Sequence, residues 1–269
     1  MMTKIRMMLG LILGLAAPVA QAGPLDDALE ARILPGWRMA NGQHMAAVEL
    51  HMAPGWKTYW RAPGDAGIPP RFDWRGSRNL GAVEPVWPTP IVIDQGGVQV
   101  IGYKDRVILP MRISPERAGK PVQLKASIDL GVCKDVCVPI TLSLSEALPS
   151  NVSKPDPHIT AAMADRPYAP SEAGVGQVRC DVSPIEDGLR LSASVAMPSA
   201  GGTEVMVVEL DNPQIWVSQG DARRNGGRLN AEAELYHVDG RAFALDRSAV
   251  RITVIGSNYA VDIQGCSAG

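Results

Sequence analysis

The chain has 269 residues, four cysteines and a formal net charge of −2, with 26 Lys and Arg set against 28 Asp and Glu. The two signs are nearly balanced and neither a basic block nor an acidic tail occurs, which argues against an electrostatic nucleic-acid binder and leaves charge silent on partners. This length is enough for two ordinary domains, each able to bury its own core.

The first residues carry Lys4 and Arg6, continue through the apolar "MMLGLILGLAAPVA" and reach small side chains at Ala20 and Ala22. That order is the pattern of a secretory signal peptide over residues 1–22, with cleavage after Ala22 and a mature chain starting at Gly23. The apolar run is broken by Gly and Pro and falls short of the ~20 residues of a spanning helix. The expected product is exported into an oxidising compartment, where disulfides persist.

From residue 23 to 150 the stretches "HMAAVELHM", "VILPMRI", "PVQLKASIDL" and "VPITLSL" are short, rich in apolar and β-branched residues, and separated by Gly, Pro or Asn-Gly signals. Ile140, Leu142 and Leu144 alternate with Thr141, Ser143 and Ser145, the period of a strand with one buried face. Asp105 and Arg106 read as a hairpin turn between strands. Residues 151–174 are crowded with Pro, Ser, Asp and Asn and read as an interdomain connection, with one short helix near Ile159 to Ala164. Residues 175–269 return to strand-length runs, "GLRLSASVAM", "TEVMVVEL", "GRLNAEAELYHV" and "AVRITVIGSNYAVDIQGC", the last broken at "GSN" as a hairpin is. The predicted architecture is all-β, two tandem immunoglobulin-like β-sandwich domains.

The cysteines separate by distance along the chain. Cys180 lies near the first strand of the second half and Cys266 at the end of its last, so a bridge between them clasps that domain. In the chain-entropy description such a long loop contributes ~4 to 5 kcal/mol, against roughly 2 kcal/mol for the small ring closed by Cys133 and Cys137. Cys180–Cys266 is therefore the expected structural disulfide. A small ring constrains its own geometry and is more easily exchanged. Lys134 favours a thiolate there and Asp135 opposes it, so local charge does not select a nucleophile. A zinc site is not indicated, because His44, His51, His158 and His237 are scattered. Spacing alone leaves a structural clip and a working dithiol both open for CxxxC. Arg61, Asp65 and Asp73 read as a turn or ion-pair network. The glycine clusters lack a strand-loop-helix setting, so no nucleotide site is expected.

Several stretches beyond the cysteines bear on the choice. "APGWKTYWRAPGDAGIPPRFDW", "VWPTP", "GYKDRVILPM" and "DLGVCKDVCVP" follow one another across residues 53–139, and in that order they resemble the N-terminal periplasmic domain of DsbD-type thiol:disulfide interchange proteins and the related region of ScsB-type proteins. The resemblance implies a periplasmic immunoglobulin-like domain whose catalytic pair, here Cys133 and Cys137, cycles between dithiol and disulfide without cofactor or metal. The implied partners are a thioredoxin-like periplasmic protein, a separate membrane electron transporter of DsbD or CcdA type, or both. The family's capping loop, aromatic in its better-known members, falls at Pro90 to Gly97, where this chain offers Ile91 and Ile93. Trp56, Tyr59, Trp60 and Tyr103 complete the expected cap or partner surface, with sandwich core as the competing assignment for the aromatics. The family continues into membrane and thioredoxin-like domains, whereas this chain stops at Gly269, so a separate electron donor is expected. A non-catalytic envelope binding or assembly module with two structural disulfides is the alternative.

Overall fold

The computed structural model describes residues 28–269, and the expected signal peptide lies outside them. The first half is built from β1 (Leu29–Arg38), β2 (His44–Met52), β3 (Lys57–Tyr59), β4 (Arg71–Asp73), β5 (Ala82–Pro85), β6 (Ile91–Gln95), β7 (Val98–Lys104), β8 (Arg106–Ser114), β9 (Val122–Cys133) and β10 (Cys137–Leu148). They form two sheets, in the orders β1-β2-β8-β5 and β10-β9-β3-β7-β6, with β4 paired to β9. Between the sheets lie Val48, Leu50, Trp60, Ile101, Leu109, Met111, Leu130 and Val132, all buried. The alternation of Ile140, Leu142 and Leu144 with polar neighbours is reproduced in the half-buried and exposed positions of β10. Asp105 does not close a hairpin: β7 and β8 lie in different sheets, and Asp105, with φ 58°, turns the chain from one sheet to the other.

Strand β2 is buried on both faces for most of its length. One face enters the sandwich, and the other packs Met45 and Ala47 against Trp37 and the fully buried Ile159. Ile159 belongs to the one α-helix among the described residues, α1 (Pro157–Ala164), which starts where the Asp156 carboxylate accepts from the His158 and Ile159 amides, an N-cap followed by proline at the first helical position. The connecting segment is thus a lid on the first sandwich, because its apolar residue and cap chemistry coincide.

The second half contains β11 (Val178–Ile185), β12 (Gly188–Ala196), β13 (Val205–Leu210), β14 (Ile215–Val217), β15 (Arg223–Asn225), β16 (Arg228–His237), β17 (Val250–Ile255), β18 (Ala260–Gln264) and β19 (Ser267–Ala268). Their sheets run β14-β16-β12-β11-β19, with β15 against β16, and β13-β17-β18. "GSN" joins β17 to β18 as an antiparallel hairpin. A disulfide links Cys180 of β11 to Cys266 beyond β18, across 86 positions of sequence. Along β13 the residues alternate between two cores: Met206 and Val208 face the second, while Val205 and Val207 join the first.

His44 at the start of β2 is fully buried; its Nε2 lies 2.6 Å from the Pro35 carbonyl oxygen and its Nδ1 has no partner. Burial lowers its pKa below 6.5, assisted by the Arg38 charge and opposed by the Pro35 hydrogen bond. The unfolded chain therefore takes up this proton first as pH falls, and stability present above the ordinary histidine value is lost on descending through the folded one. Chemical unfolding of wild type should weaken from roughly pH 7 to 5 with a slope that His44→Gln reduces.

Candidate functional site

The sheet β10-β9-β3-β7-β6 has two faces, and the cysteine pair lies on the outer one. Along β9, Leu130 and Val132 point into the sandwich, so the intervening Gly131 and the following Cys133 face outward. Strands β9 and β10 form a hairpin closed by Lys134, Asp135 and Val136, in which the Lys134 amide donates to the Val136 carbonyl at 3.3 Å. Its register sets Cys133 directly opposite Cys137, with Cα atoms 4.1 Å apart and the two joined as a disulfide. Cys133 is fully buried, Cys137 half-buried, and the loop residue Val136 is 70% exposed.

A small apolar cluster separate from the sandwich core surrounds the sulfurs: Tyr59, Ile93, Val100 and Cys133, with Ile68 and Cys137 at its border. Strand alternation explains the membership. On β3, Thr58 faces inward and Tyr59 outward; on β7, Ile101 and Tyr103 face inward and Val100 outward; on β6, Val92 packs toward the core and Ile93 on the disulfide. Strands β6 and β7 are joined by Gly96 and Gly97, both at positive φ, the conformation a two-residue hairpin turn demands. This hairpin carries Gln95 onto the pair.

The polar groups at the disulfide are hydrogen-bond donors. The Tyr59 hydroxyl oxygen lies 3.0 Å from both Cys133 Sγ and Cys137 Sγ; disulfide sulfur has no proton, so the phenol donates. Burial raises the Tyr59 pKa, with the Gln95 side chain opposing, which keeps that proton in place. Gln95 Nε2 reaches Cys137 Sγ at 3.5 Å, and its Oε1 is buried without a partner. Lys57 stands opposite Cys133 in the register and opposite Lys104 on β7. It is 7% exposed, and its ammonium donates to the Lys134 carbonyl at 3.3 Å.

Of the six side chains expected in a cap or partner surface, the structure brings two to the sulfurs, Tyr59 and Ile93. Trp60 and Tyr103 belong to the sandwich core, where the Tyr103 hydroxyl donates to the Pro88 carbonyl at 2.8 Å, and half-buried Trp56 packs against that core. Ile91 is 46% exposed on β6. Lys57, Ile68, Gln95 and Val100 were not singled out by sequence. The only signal for Lys57 was its place two residues before Tyr59, on the same strand face. Asp73 forms a local pair with Arg75, while Arg61 and Asp65 reach the second sandwich.

The architecture defines an immunoglobulin-like sandwich with a cross-strand disulfide held under a small cover on its outer face. The family described as "Thiol:disulfide interchange protein DsbD, N-terminal" matches residues 30–149, the span of the first sandwich. The solved N-terminal periplasmic domain of ScsB from Proteus mirabilis is similar over both halves: TM-score 0.68 and 23% identity, covering 92% of this chain and 97% of that one. No curated protein sequence matches. No helix among the described residues is long and apolar enough to cross a membrane.

Gly131 provides room for this cover. A Cβ built there meets Ile68 Cβ at 2.9 Å and the Tyr59 ring at 3.0 Å. Gly131→Ala should therefore displace both, destabilise the fold by about 1–3 kcal/mol, and accelerate reduction of Cys133–Cys137 by a small dithiol. Denaturant unfolding and the reduction rate check the two effects.

Proposed function

We propose that this chain is a periplasmic thiol:disulfide interchange protein whose working pair is Cys133 and Cys137. The observation that carries the reading is the cover over the two sulfurs, a small apolar cluster with the Tyr59 hydroxyl and the Gln95 side-chain amide directed at them. A disulfide serving only as a staple needs no donors directed at its sulfurs. The match of residues 30–149 to a family named for thiol:disulfide interchange supports the same chemistry, and the likeness to a periplasmic domain supports the location.

Exposure assigns the roles. In the reduced protein, half-exposed Cys137 presents its thiolate to a partner disulfide, bonds to one partner sulfur and expels the other as thiolate. Buried Cys133, losing its proton to solvent, then attacks Cys137 Sγ. The protein disulfide closes, the partner's second thiolate leaves, and both partner thiolates take up protons. Two electrons pass to the partner; the reverse sequence accepts them. The Tyr59 hydroxyl, the Gln95 amide and the Lys57 ammonium favour the thiolate over the neutral thiol. Apolar Val136, between the two cysteines, is 70% exposed, and Ile91 and Val98 on the β6–β7 hairpin are 46% and 45% exposed; these groups suit docking of a thioredoxin-like partner or a membrane electron transporter's exposed domain. No cofactor or metal enters the exchange.

Cys133→Ala should accumulate a mixed disulfide through Cys137, resolved as a band on a non-reducing gel, whereas Cys137→Ala should not. Equilibration with glutathione should place the pair above about −300 mV; a lower value marks a structural bridge, as in a non-catalytic binding module. A donor lost from a thiolate stabilises the reduced form less. Tyr59→Phe should accordingly make the potential more negative by roughly 20–40 mV, the equivalent of one charge-assisted hydrogen bond partly offset by its disulfide contact.

A further inference from the structure

The cover over the disulfide has a second support outside its own domain. Tyr59, whose hydroxyl touches both sulfurs, is followed by Trp60, Arg61 and the loop through Ile68, which is tied to β7 at its start, where the Ile101 amide donates to the Pro63 carbonyl at 2.9 Å. Arg61 stacks 3.9 Å over the Trp60 ring and sends Nε and Nη2 to the two carboxylate oxygens of Glu209 on β13, at 2.9 and 3.0 Å. Nη2 also donates to Thr253 Oγ1 at 3.2 Å and lies 3.8 Å from Asp262. Arg61 and Glu209 side chains are only 12% and 17% exposed, so the forked pair is largely shielded from water and geometrically specific.

A second fastening lies further along the loop. The Asp65 carboxylate accepts from the Gln219 backbone amide at 3.1 Å. Gly64, at φ 84°, brings the backbone so close that a Cβ there falls 3.2 Å from both Gln219 Oε1 and the Gln99 carbonyl oxygen. From this point the loop turns back onto the site. The Gly67 amide donates to the Gly64 carbonyl at 3.4 Å, Gly67 packs so close to the Tyr59 ring that a Cβ would lie 3.1 Å from it, and Ile68 joins the cluster around Cys133.

We infer that the second sandwich is a positioning element for the cysteine pair. Glu209 holds Arg61 and Gln219 holds Asp65, and the loop so fixed closes Gly67 and Ile68 over Tyr59 and the sulfurs. Arg61, Asp65, Glu209 and Gln219 are positioning residues that touch neither sulfur. The inference deepens the reading of Cys133–Cys137 as the working pair and rests on it. A loop loosened at either fastening opens locally without unfolding the sheets, and exposure of the site then follows the open population.

The test uses the full chain, reduced with excess dithiothreitol, freed of reductant and alkylated with iodoacetamide, with Cys137 quantified by peptide mapping. Glutathione equilibration gives the potential in parallel. Glu209→Ala and Asp65→Ala should each raise the Cys137 alkylation rate about fivefold and move the potential, while the unfolding transition stays cooperative; Glu209→Asp, which keeps an acceptor for Arg61, should recover part of the change. Wild-type alkylation rate and potential in Asp65→Ala, where no buried charge is orphaned, would overturn the inference even if Glu209→Ala fails to fold. Failure of the redox reading is separately visible: a wild-type pair with a potential below about −300 mV defeats that reading, while the alkylation rates still report whether the loop is held from the second sandwich.

Discussion

The site depends on one aromatic side chain lying across a strip of missing side chains. Tyr59 pairs with Gly102 on β7, and on its other side the β3–β9 register, Lys57 with Cys133 and Thr58 with Val132, brings it beside Gly131. A Cβ at Gly102 would sit 2.1 Å from the Thr58 carbonyl oxygen and one at Gly131 3.0 Å from the tyrosine ring. The two glycines let the strands approach and the ring lie flat, a use of cross-strand aromatic cover over glycine. Without that trough the phenol could not reach both sulfurs, Ile68 would lose its seat beside Gly131, and Cys133 would be open to solvent.

The same sheet thus serves two purposes on opposite faces. Its inner face supplies Val132, Leu130, Ile101 and Trp60 to the sandwich, and this packing fixes the backbone on which the outer residues stand. Cysteines on strands rather than on a free loop are held with the precision of the core beneath them. The electrostatic setting is equally one-sided: phenol and amide offer protons to the pair, the Lys57 ammonium on the neighbouring strand donates to the Lys134 carbonyl beside it, and the nearest acidic loop residue, Asp135, is exposed.

How much of this could be read from sequence depended on length and contact order. Long strands announced themselves: "HMAAVELHM" is β2 residue for residue, and the β10 alternation is visible in the letters. The three residues of β3 gave no periodicity to detect, although they carry Tyr59 and Lys57. β1 was hidden by Pro35 and Gly36, where its register with β2 shifts between Leu34 and Trp37. Aromatic content marked the right segment but could not sort its members, because Tyr59 and Trp60 differ only in strand parity. Gln95 needed the folded β6–β7 hairpin to bring it from the far edge of the sheet to Cys137, and Arg61 needed a partner 148 positions away. Short-range pattern does not encode such meetings.

Strand β13 has no solvent side for its first four residues. Val205 and Val207 complete the core of the first sandwich while Met206 and Val208 complete that of the second. The two halves are therefore not beads on a string but masonry sharing a wall. Drift in one side's volume must be answered on the other, so the pair is constrained to change together even where their sequences look independent.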